Sequence, residues 1–337
     1  MIWGKVISFT NQGAITAEKI VDLLPNDKIE LYRRTIDNSL NGTSLKRMVQ
    51  QAMVDCQLII FVGATGIAVR SIAPFLQGKA YDPAVLVIDE QGKFVISLLS
   101  GHLGGANEFT QNLADKLNAQ AVITTATDSR GQFAVDTWAK NNRCILVETS
   151  KIRYISSAIL KNEKVGIQSD FDISGNIPNY ITQTAKNGFT VKLHANDNPF
   201  ENTLHIIPKI VHLGIGCRRG TPLNKISHAV NLALDSCKID FRSICSVSSI
   251  DVKKNETGIL AFCRENNLPF QTFSADELNS LSGEFTKSSF VNKTVGVDNV
   301  CERACVYSSK NGKLICKKLS CDGVTIAIAI EKWEMKF

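Results

Sequence analysis

One histidine in this sequence stands apart by its neighbours. His102 lies in the run Ser97-Leu98-Leu99-Ser100-Gly101-His102-Leu103-Gly104-Gly105-Ala106-Asn107, where a strand-like pattern gives way to glycines and then to a helical pattern. Glycine neighbours leave such a side chain uncovered, and an imidazole titrates near neutrality, so His102 is the leading candidate for a general acid or base. A hydrogen bond within its own loop is the competing role. Ser100, Gly104, Gly105 and Asn107 are the candidate ligand contacts around it. Of the other histidines, His194 and His205 fall in an irregular region, His228 in a helical pattern and His212 inside a strand pattern.

Two further segments repeat the strand–turn–helix logic. In Phe61-Val62-Gly63-Ala64-Thr65-Gly66-Ile67-Ala68-Val69-Arg70 a buried-strand pattern ends at glycine and a helix begins. Free N–H groups and the helix dipole at such a start receive anions, which makes Gly63, Thr65, Gly66 and Arg70 candidate binding residues. No Gly-Lys-Ser/Thr follows, so this is no Walker A loop, and the Gly-x-Gly-x-x-Gly fingerprint is incomplete. A glycine used only for packing is the alternative. Thr124-Thr125-Ala126-Thr127-Asp128-Ser129 closes another strand pattern, with Thr124 and Thr125 as candidate contacts. Asp128 is a candidate base or the N-cap of the next helix. Glu90, just past the run Ala84 to Ile88, is the other carboxylate candidate. Each segment ends its own strand at the carboxyl side, where open α/β sheets bind ligands, so all are expected to converge.

The last third carries explicit positive charge. Net charge is zero over residues 1–150, +2 over 151–210 and +4 over 211–337, making up the +6 of the chain. In Leu213-Gly214-Ile215-Gly216-Cys217-Arg218-Arg219-Gly220-Thr221-Pro222, Thr221 reads as an N-cap and Pro222 as the first helical residue. Arg218 and Arg219 offer fork-shaped donors for carboxylates. Cys217 is a reactive thiol in an electropositive turn or a buried one at a strand end. Ser249, Lys253 and Lys254 form a similar polar cluster in Ser248-Ser249-Ile250-Asp251-Val252-Lys253-Lys254-Asn255-Glu256. Basic residues come as scattered pairs, Lys317-Lys318 among them, and aromatics make up 7% of the chain, which suits a small polyanionic ligand better than nucleic acid. Cys301, Cys305, Cys316 and Cys321 match no zinc or iron–sulfur spacing, so no protein-held metal is expected. The ten cysteines mostly sit in apolar runs and read as reduced thiols.

The elements that must position these groups follow from periodicity. Residues 1–142 alternate strand and helix patterns, and the unbroken apolar run Gln57 to Val62 suits a strand buried on both faces. Gln91-Gly92 between two strand patterns reads as a hairpin turn. Residues 143–209 hold one helical run, Ile152 to Leu160, among short strands and turns, and read as a small middle segment. From residue 210 to 337 the alternation resumes. The expected fold is α/β: two α/β domains with largely parallel sheets joined by the middle segment. No apolar stretch reaches the roughly 20 residues a membrane span needs, and the N-terminus lacks a leader pattern, so a cytoplasmic protein is expected.

The strings Val62 to Arg70, Asp82 to Glu90, Leu99 to Asn107 and Thr124 to Asp128 resemble the N-terminal domain of the cobalamin biosynthesis protein G family. Gly214 to Gly220, Ser249 to Glu256 and Gly296 to Glu302 resemble its C-terminal domain. Gly283-Glu284-Phe285 stands where that family's pattern has Ser-Glu-Phe. The resemblance implies a cobalt-precorrin-5A hydrolase of anaerobic cobalamin (vitamin B12) biosynthesis. In that reaction water opens the δ-lactone on ring A, and the bridging carbon with its methyl group leaves as acetaldehyde. It implies an anionic cobalt-precorrin as substrate, cobalt carried inside it, and no separate cofactor. Charge pattern and apolar run length point to no nucleic-acid or membrane partner, while a homodimer and transient contacts with other cobalamin-pathway enzymes stay open. A non-catalytic corrinoid carrier or chaperone is the alternative, and a nucleotide-dependent enzyme built on the Gly-rich turns a third.

Overall fold

The computed structural model describes residues 2–25, 27–33, 44–78, 81–101, 104–125 and 133–337. The chain divides into two compact units, Met1–Thr137 and Trp138–Phe337.

In the first unit, strands β1 (Trp3–Ser8), β2 (Lys28–Arg33), β3 (Leu58–Val62), β4 (Ala84–Ile88), β5 (Phe94–Leu99) and β6 (Gln120–Val122) form one sheet in the order β2-β1-β3-β4-β5-β6. Alternation sorts their side chains: Val6, Leu58, Ile60, Leu86 and Ile88 pack on one face, while Ile7, Ile59, Phe61, Val85 and Val87 pack on the other. The helices Asn11–Asp22 and Ala106–Leu117 cover the first face, and Leu45–Asp55 and Thr65–Ile72 the second. Each such side chain removed from water contributes roughly 1.5–3 kcal/mol, which is why β3 and β4 carry no polar residue.

The reading of a largely parallel sheet holds, with one reversal. Asp89 accepts from the N–H groups of Gln91, Lys93 and Phe94, at 3.1, 2.7 and 2.7 Å, and Gly92 takes φ +70°. This turn closes a hairpin, so β5 runs antiparallel to β4 and pairs Leu99 with Val85. β6 follows β5 in parallel.

The second unit contains two sheets of five strands. The region expected to be a minor connector builds its own: β7 (Cys144–Leu146), β8 (Val165–Ser169), β10 (Ile181–Thr182), β11 (Asn187–Val191) and β12 (Asn202–Pro208), in the order β10-β8-β11-β12-β7. A small two-stranded pairing joins β9 (Ile173–Ser174) to β18 (Met335–Lys336) at the end of the chain. The other sheet has β13 (Val211–Cys217), β14 (Ile244–Ile250), β15 (Phe270–Phe273), β16 (Lys313–Cys321) and β17 (Val324–Ile330), in the order β15-β14-β13-β17-β16. β13, β14 and β15 are parallel and β17 is antiparallel to β13. The helices Leu223–Cys237 and Thr257–Glu265 pack on one face around Ile226, Val230, Ile259 and Phe262. Val300–Ser308 lies on the other, so close that a Cβ on Gly214 would stand 1.8 Å from the Cys301 carbonyl oxygen.

Among the described residues no helix is long and apolar enough to cross a membrane.

Candidate functional site

The hairpin reversal decides how the sequence candidates of the first unit are grouped. The ends of β1, β3 and β4 lie together, because Val62 pairs with Ile88 and Ser8 with Val62. The end of β5 lies at the opposite edge, beside the start of β4. The expected convergence of all strand ends therefore fails, and two groups result. The five-residue strands between them span roughly 17 Å, too far for one proton-transfer step.

The first group surrounds a cavity of about 350 Å³ lined by Phe9, Thr10, Gly63, Ile67, Asp89 and Glu90. Gly63 turns the chain at φ +152°, where a side chain would be strained, and its N–H donates to the Ile88 carbonyl at 2.8 Å. Thr10 accepts the Gly13 N–H at 2.9 Å as N-cap of the first helix, which leaves its own proton for Glu90 Oε2 at 2.8 Å. Thr16 holds the Glu90 backbone carbonyl at 2.7 Å. Since Asp89 is committed to its turn while Glu90 accepts at Oε2 alone, Glu90 is the carboxylate with an oxygen left for a ligand here. Beside it, no side chain caps the Thr65–Ile72 helix, and the exposed Arg70 guanidinium folds over Gly66, 3.3 Å from where a Cβ would sit. Arg70 has no hydrogen-bond or ion-pair partner among the described residues. The uncapped helix start at Thr65 and Gly66 and the Arg70 guanidinium beside it have the chemistry that an anion would need.

The second group is built on Asn107. Its Oδ1 accepts from Ser97 Oγ at 2.6 Å, its Nδ2 donates to Thr125 Oγ1 at 2.8 Å, and its backbone N–H donates to Gly101. Ser100 sits at φ +57° and donates to the Asp82 carbonyl at 2.9 Å. A Cβ on Gly104 would come within 2.5 Å of Ser100 Cβ, and Gly105 at φ +83° starts the Ala106–Leu117 helix. These glycines let the loop fold tightly onto the start of β4. Thr124 is exposed and Thr125 half-buried. His102 and Asp128 lie outside the described residues.

In the second unit the Arg218-Arg219 turn follows β13, with Gly220 at φ +74°. Glu256, nearly buried, accepts the Gly220 N–H at 2.7 Å and the Lys253 ammonium at 2.9 Å. Burial alone would raise its pKa, but these two donors outweigh it and hold the carboxyl below its ordinary value. Arg218, Arg219 and Lys254 are exposed and their side chains make no hydrogen bond or ion pair among the described residues, while the Arg219 charge also acts on Glu256. This end of the sheet presents three exposed cations without a direct ion pair.

Three sequence readings are corrected here, and of the two readings of Cys217 the structure favours the buried one. Thr221 is not the helix N-cap: Leu223–Cys237 is capped at Pro222, and Thr221 Oγ1 donates to the Arg218 carbonyl at 2.7 Å, closing the turn. Ser249 is fully buried and donates to the Ile215 carbonyl at 2.6 Å, so it stitches β14 to β13 and meets no ligand. Lys253 is committed to Glu256. Burial pushes the Cys217 thiol above its ordinary value, so it is no activated thiolate. Sequence reasoning missed Thr10, Glu256 and Glu302. Only Glu302 left a signal, the Asn-x-x-Glu pattern of a helix start at Asn299, and even there the carboxylate bonds elsewhere.

Residues 47–128 match the family described as Cobalamin synthesis G N-terminal, and residues 211–329 the one described as Cobalamin synthesis G C-terminus. The chain belongs to the cobalamin synthesis G family. Its place is therefore in cobalamin biosynthesis. The cobalt-precorrin-5A hydrolase of Salmonella typhimurium is 38% identical over 296 residues, 83% of this chain and 84% of its own. That of Priestia megaterium is 32% identical over 292 residues, 81% of this chain and 78% of its own. The probable cobalt-precorrin-5A hydrolase of Methanocaldococcus jannaschii is 29% identical over 343 residues, 97% of this chain and 98% of its own. Both family regions carry the groups described above: Gly63, Glu90 and Asn107 in one, and Arg218 and Glu256 in the other. The five-stranded sheet of the middle region lies outside both and inside the archaeal match.

Proposed function

We propose that this chain hydrolyses cobalt-precorrin-5A to cobalt-precorrin-5B and acetaldehyde. The observation that carries this reading is the 38% identity to a cobalt-precorrin-5A hydrolase along most of both chains. The chemistry takes two steps. In the first, a base removes a proton from water as its oxygen bonds to the lactone carbonyl; the ring C–O bond breaks and that oxygen takes up a proton. In the second, the freed alcohol gives up its proton and becomes a carbonyl. The C–C electron pair returns to the macrocycle, which is protonated as acetaldehyde leaves. Water is the only co-reactant, and cobalt enters inside the substrate.

His102 is assigned the acid–base role, and Asp128, three residues beyond Thr125 in the sequence, is a fallback base. The Ser97–Asn107–Thr125 hydrogen bonds support this end of the first unit as the reaction site, since they tie together described segments that flank His102 and precede Asp128 in the sequence. Glu90 belongs to the other end of the sheet and is the rival. The polar corner at Arg70 and the cations at Arg218, Arg219 and Lys254 suit the peripheral carboxylates of a precorrin.

The test is acetaldehyde release from enzymatically prepared cobalt-precorrin-5A. His102→Ala should lower it by about 10²-fold or more with substrate binding retained, and Glu90→Gln should leave it nearly intact. The reverse ranking would move the chemistry to the Gly63–Glu90 cavity. Tight binding with no acetaldehyde from the unmodified protein would make this chain a carrier instead.

A further inference from the structure

A second, larger cavity lies in the C-terminal sheet region and is lined by none of the residues assigned above. It has a volume of about 600 Å³ and is lined by the 283–287 segment, Asp298, Arg303 and Lys317. The size falls within the range of small-molecule pockets.

Its walls are held from behind by buried polar groups. Glu302 is fully buried, yet no ion-pair partner for it is found among the described residues. Its carboxylate accepts from the Thr286 N–H and Thr286 Oγ1, both at 2.8 Å, and from the Lys318 N–H at 2.7 Å. Asn299, 2% exposed, donates from Nδ2 to the Thr286 carbonyl at 2.8 Å. A buried carboxylate is tolerated only when each oxygen is satisfied, and here Thr286 and Lys318 satisfy both, which fixes the loop. A segment that only connected two helices would not need it.

The Lys318 bond has a second meaning. Between Cys316 and Leu319 the register of β16 on β17 slips: Cys316 pairs with Ile328 and Leu319 with Ile326, three residues against two. One extra residue is therefore inserted, a bulge, and bulges re-aim side chains beside functional sites. Glu302 takes the N–H that the bulge removes from the ladder, and Lys317 lines the cavity.

The charges inside are unevenly matched. Arg303 is fully committed, to Asp298 at 2.7 Å and to the Leu278 and Leu281 carbonyls, with its guanidinium 4.4 Å from the Phe285 ring. Lys287, Lys317 and Glu284 make no side-chain hydrogen bond or ion pair among the described residues, and the Lys287 charge also acts on Asp298, which lines the same cavity. With Asp298 held by Arg303, two ammoniums without a direct partner stand beside one such carboxylate.

We propose that this cavity is a carboxylate-binding site that receives an acetate or propionate arm of the tetrapyrrole, with Lys287 and Lys317 as its ligands and Glu284 opposing them. The assignment rests on the tetrapyrrole reading above. Cobalt uroporphyrin, an eight-carboxylate macrocycle, serves as probe, with its visible absorption as readout in titrations of the full chain. Lys287→Glu and Lys317→Glu should each weaken binding roughly tenfold, and Glu284→Gln should strengthen it. A charge-matched control, Lys164→Glu, alters one exposed lysine on the middle region and should change affinity by less than about twofold. Melting curves identify any variant that is misfolded, and Glu284→Gln, which removes no hydrogen bond found among the described residues, keeps the test open in that case. Equal losses in the control, or unchanged affinity in all three cavity variants, overturn the site while leaving the hydrolase reading standing. Absence of acetaldehyde release and of probe binding in the unmodified chain refutes that reading itself, and the site with it.

Discussion

Gly258→Ala offers the most direct probe of how the arginine turn is held. Gly258 stands in the first turn of the Thr257–Glu265 helix, and a Cβ there would lie 2.1 Å from the Thr221 carbonyl oxygen and 2.9 Å from Ile226 Cδ1. Ordinary contact needs about 3.4 Å, so the helix start and the 218–221 turn must separate by about 1.3 Å. Ile226 can rotate away, but a backbone carbonyl closing a tight turn cannot. Thr221 is tied to Arg218 through both its N–H and its hydroxyl, and Glu256 grips Gly220 from the residue before the helix. The displacement therefore stretches the Glu256 bonds and shifts both guanidiniums. Overpacking of this kind costs ~1–3 kcal/mol. In a unit of about 200 residues that is a fall in melting temperature of roughly 2–4 °C per kcal/mol. Differential scanning calorimetry would measure the fall, and titration with cobalt uroporphyrin should show binding weakened by about as much as in the Arg218→Ala variant. A Gly258→Ala protein that melts and binds as the unmodified chain does would refute the account, because it would mean the turn yields freely.

Arg218→Ala and Arg219→Ala should each weaken tetrapyrrole binding by ~1–3 kcal/mol, with affinity falling as salt is added; unchanged affinity in both would place the carboxylate contacts elsewhere. Cys217→Ser should retain most turnover and Cys217 should alkylate slowly at pH 7, since burial raises its thiol above 9.0; an acyl-enzyme trapped on Cys217 would reverse this. His212 should make stability depend on pH. Burial lowers its pKa below 6.5, partly offset by Glu331 at 3.6 Å, and Arg143, Lys310, Cys245, Ser246 and Ser308 also face it. The unfolded chain then binds its proton more readily, so the stability present above pH 6.5 is lost as pH falls through the folded value. Melting temperatures between pH 8 and 5.5 should show that loss, and His212→Gln should flatten it.

Much of the fold was legible because burial writes itself into period and run length. The runs Ala84 to Ile88 and Ile152 to Leu160 each become one element with those bounds. The middle region was misjudged in weight. β8 and β11 carry Gly166 and Gly188, whose absent side chains make room for Phe200, and so lack the dense apolar signature of β3. The site was legible as a set of loops but not as an arrangement. Gln91-Gly92 predicted the hairpin, yet its consequence, that β5 and β6 deliver their loops to the other edge, follows only when strand direction is tracked from β4.

What pattern reasoning cannot reach is the carboxylate that acts through backbone. Glu256 and Glu302 follow a common plan in the second unit. Each sits at or within the first turn of a helix, each is nearly or fully buried, and each binds a backbone N–H of a loop that displays unpaired cations: Gly220 beside Arg218 and Arg219, and Thr286 beside Lys287. Had these loops been fixed by ion pairs to their own arginines and lysines, the cations would have been neutralised where a polyanion must dock. A buried acceptor for N–H groups fixes the loop and leaves its charges exposed. On this argument Glu256→Gln and Glu302→Gln should weaken binding through disorder in the loops rather than through lost attraction. The net charge of each loop rises in these variants, so an effect of charge alone would strengthen binding, and the two accounts predict opposite signs.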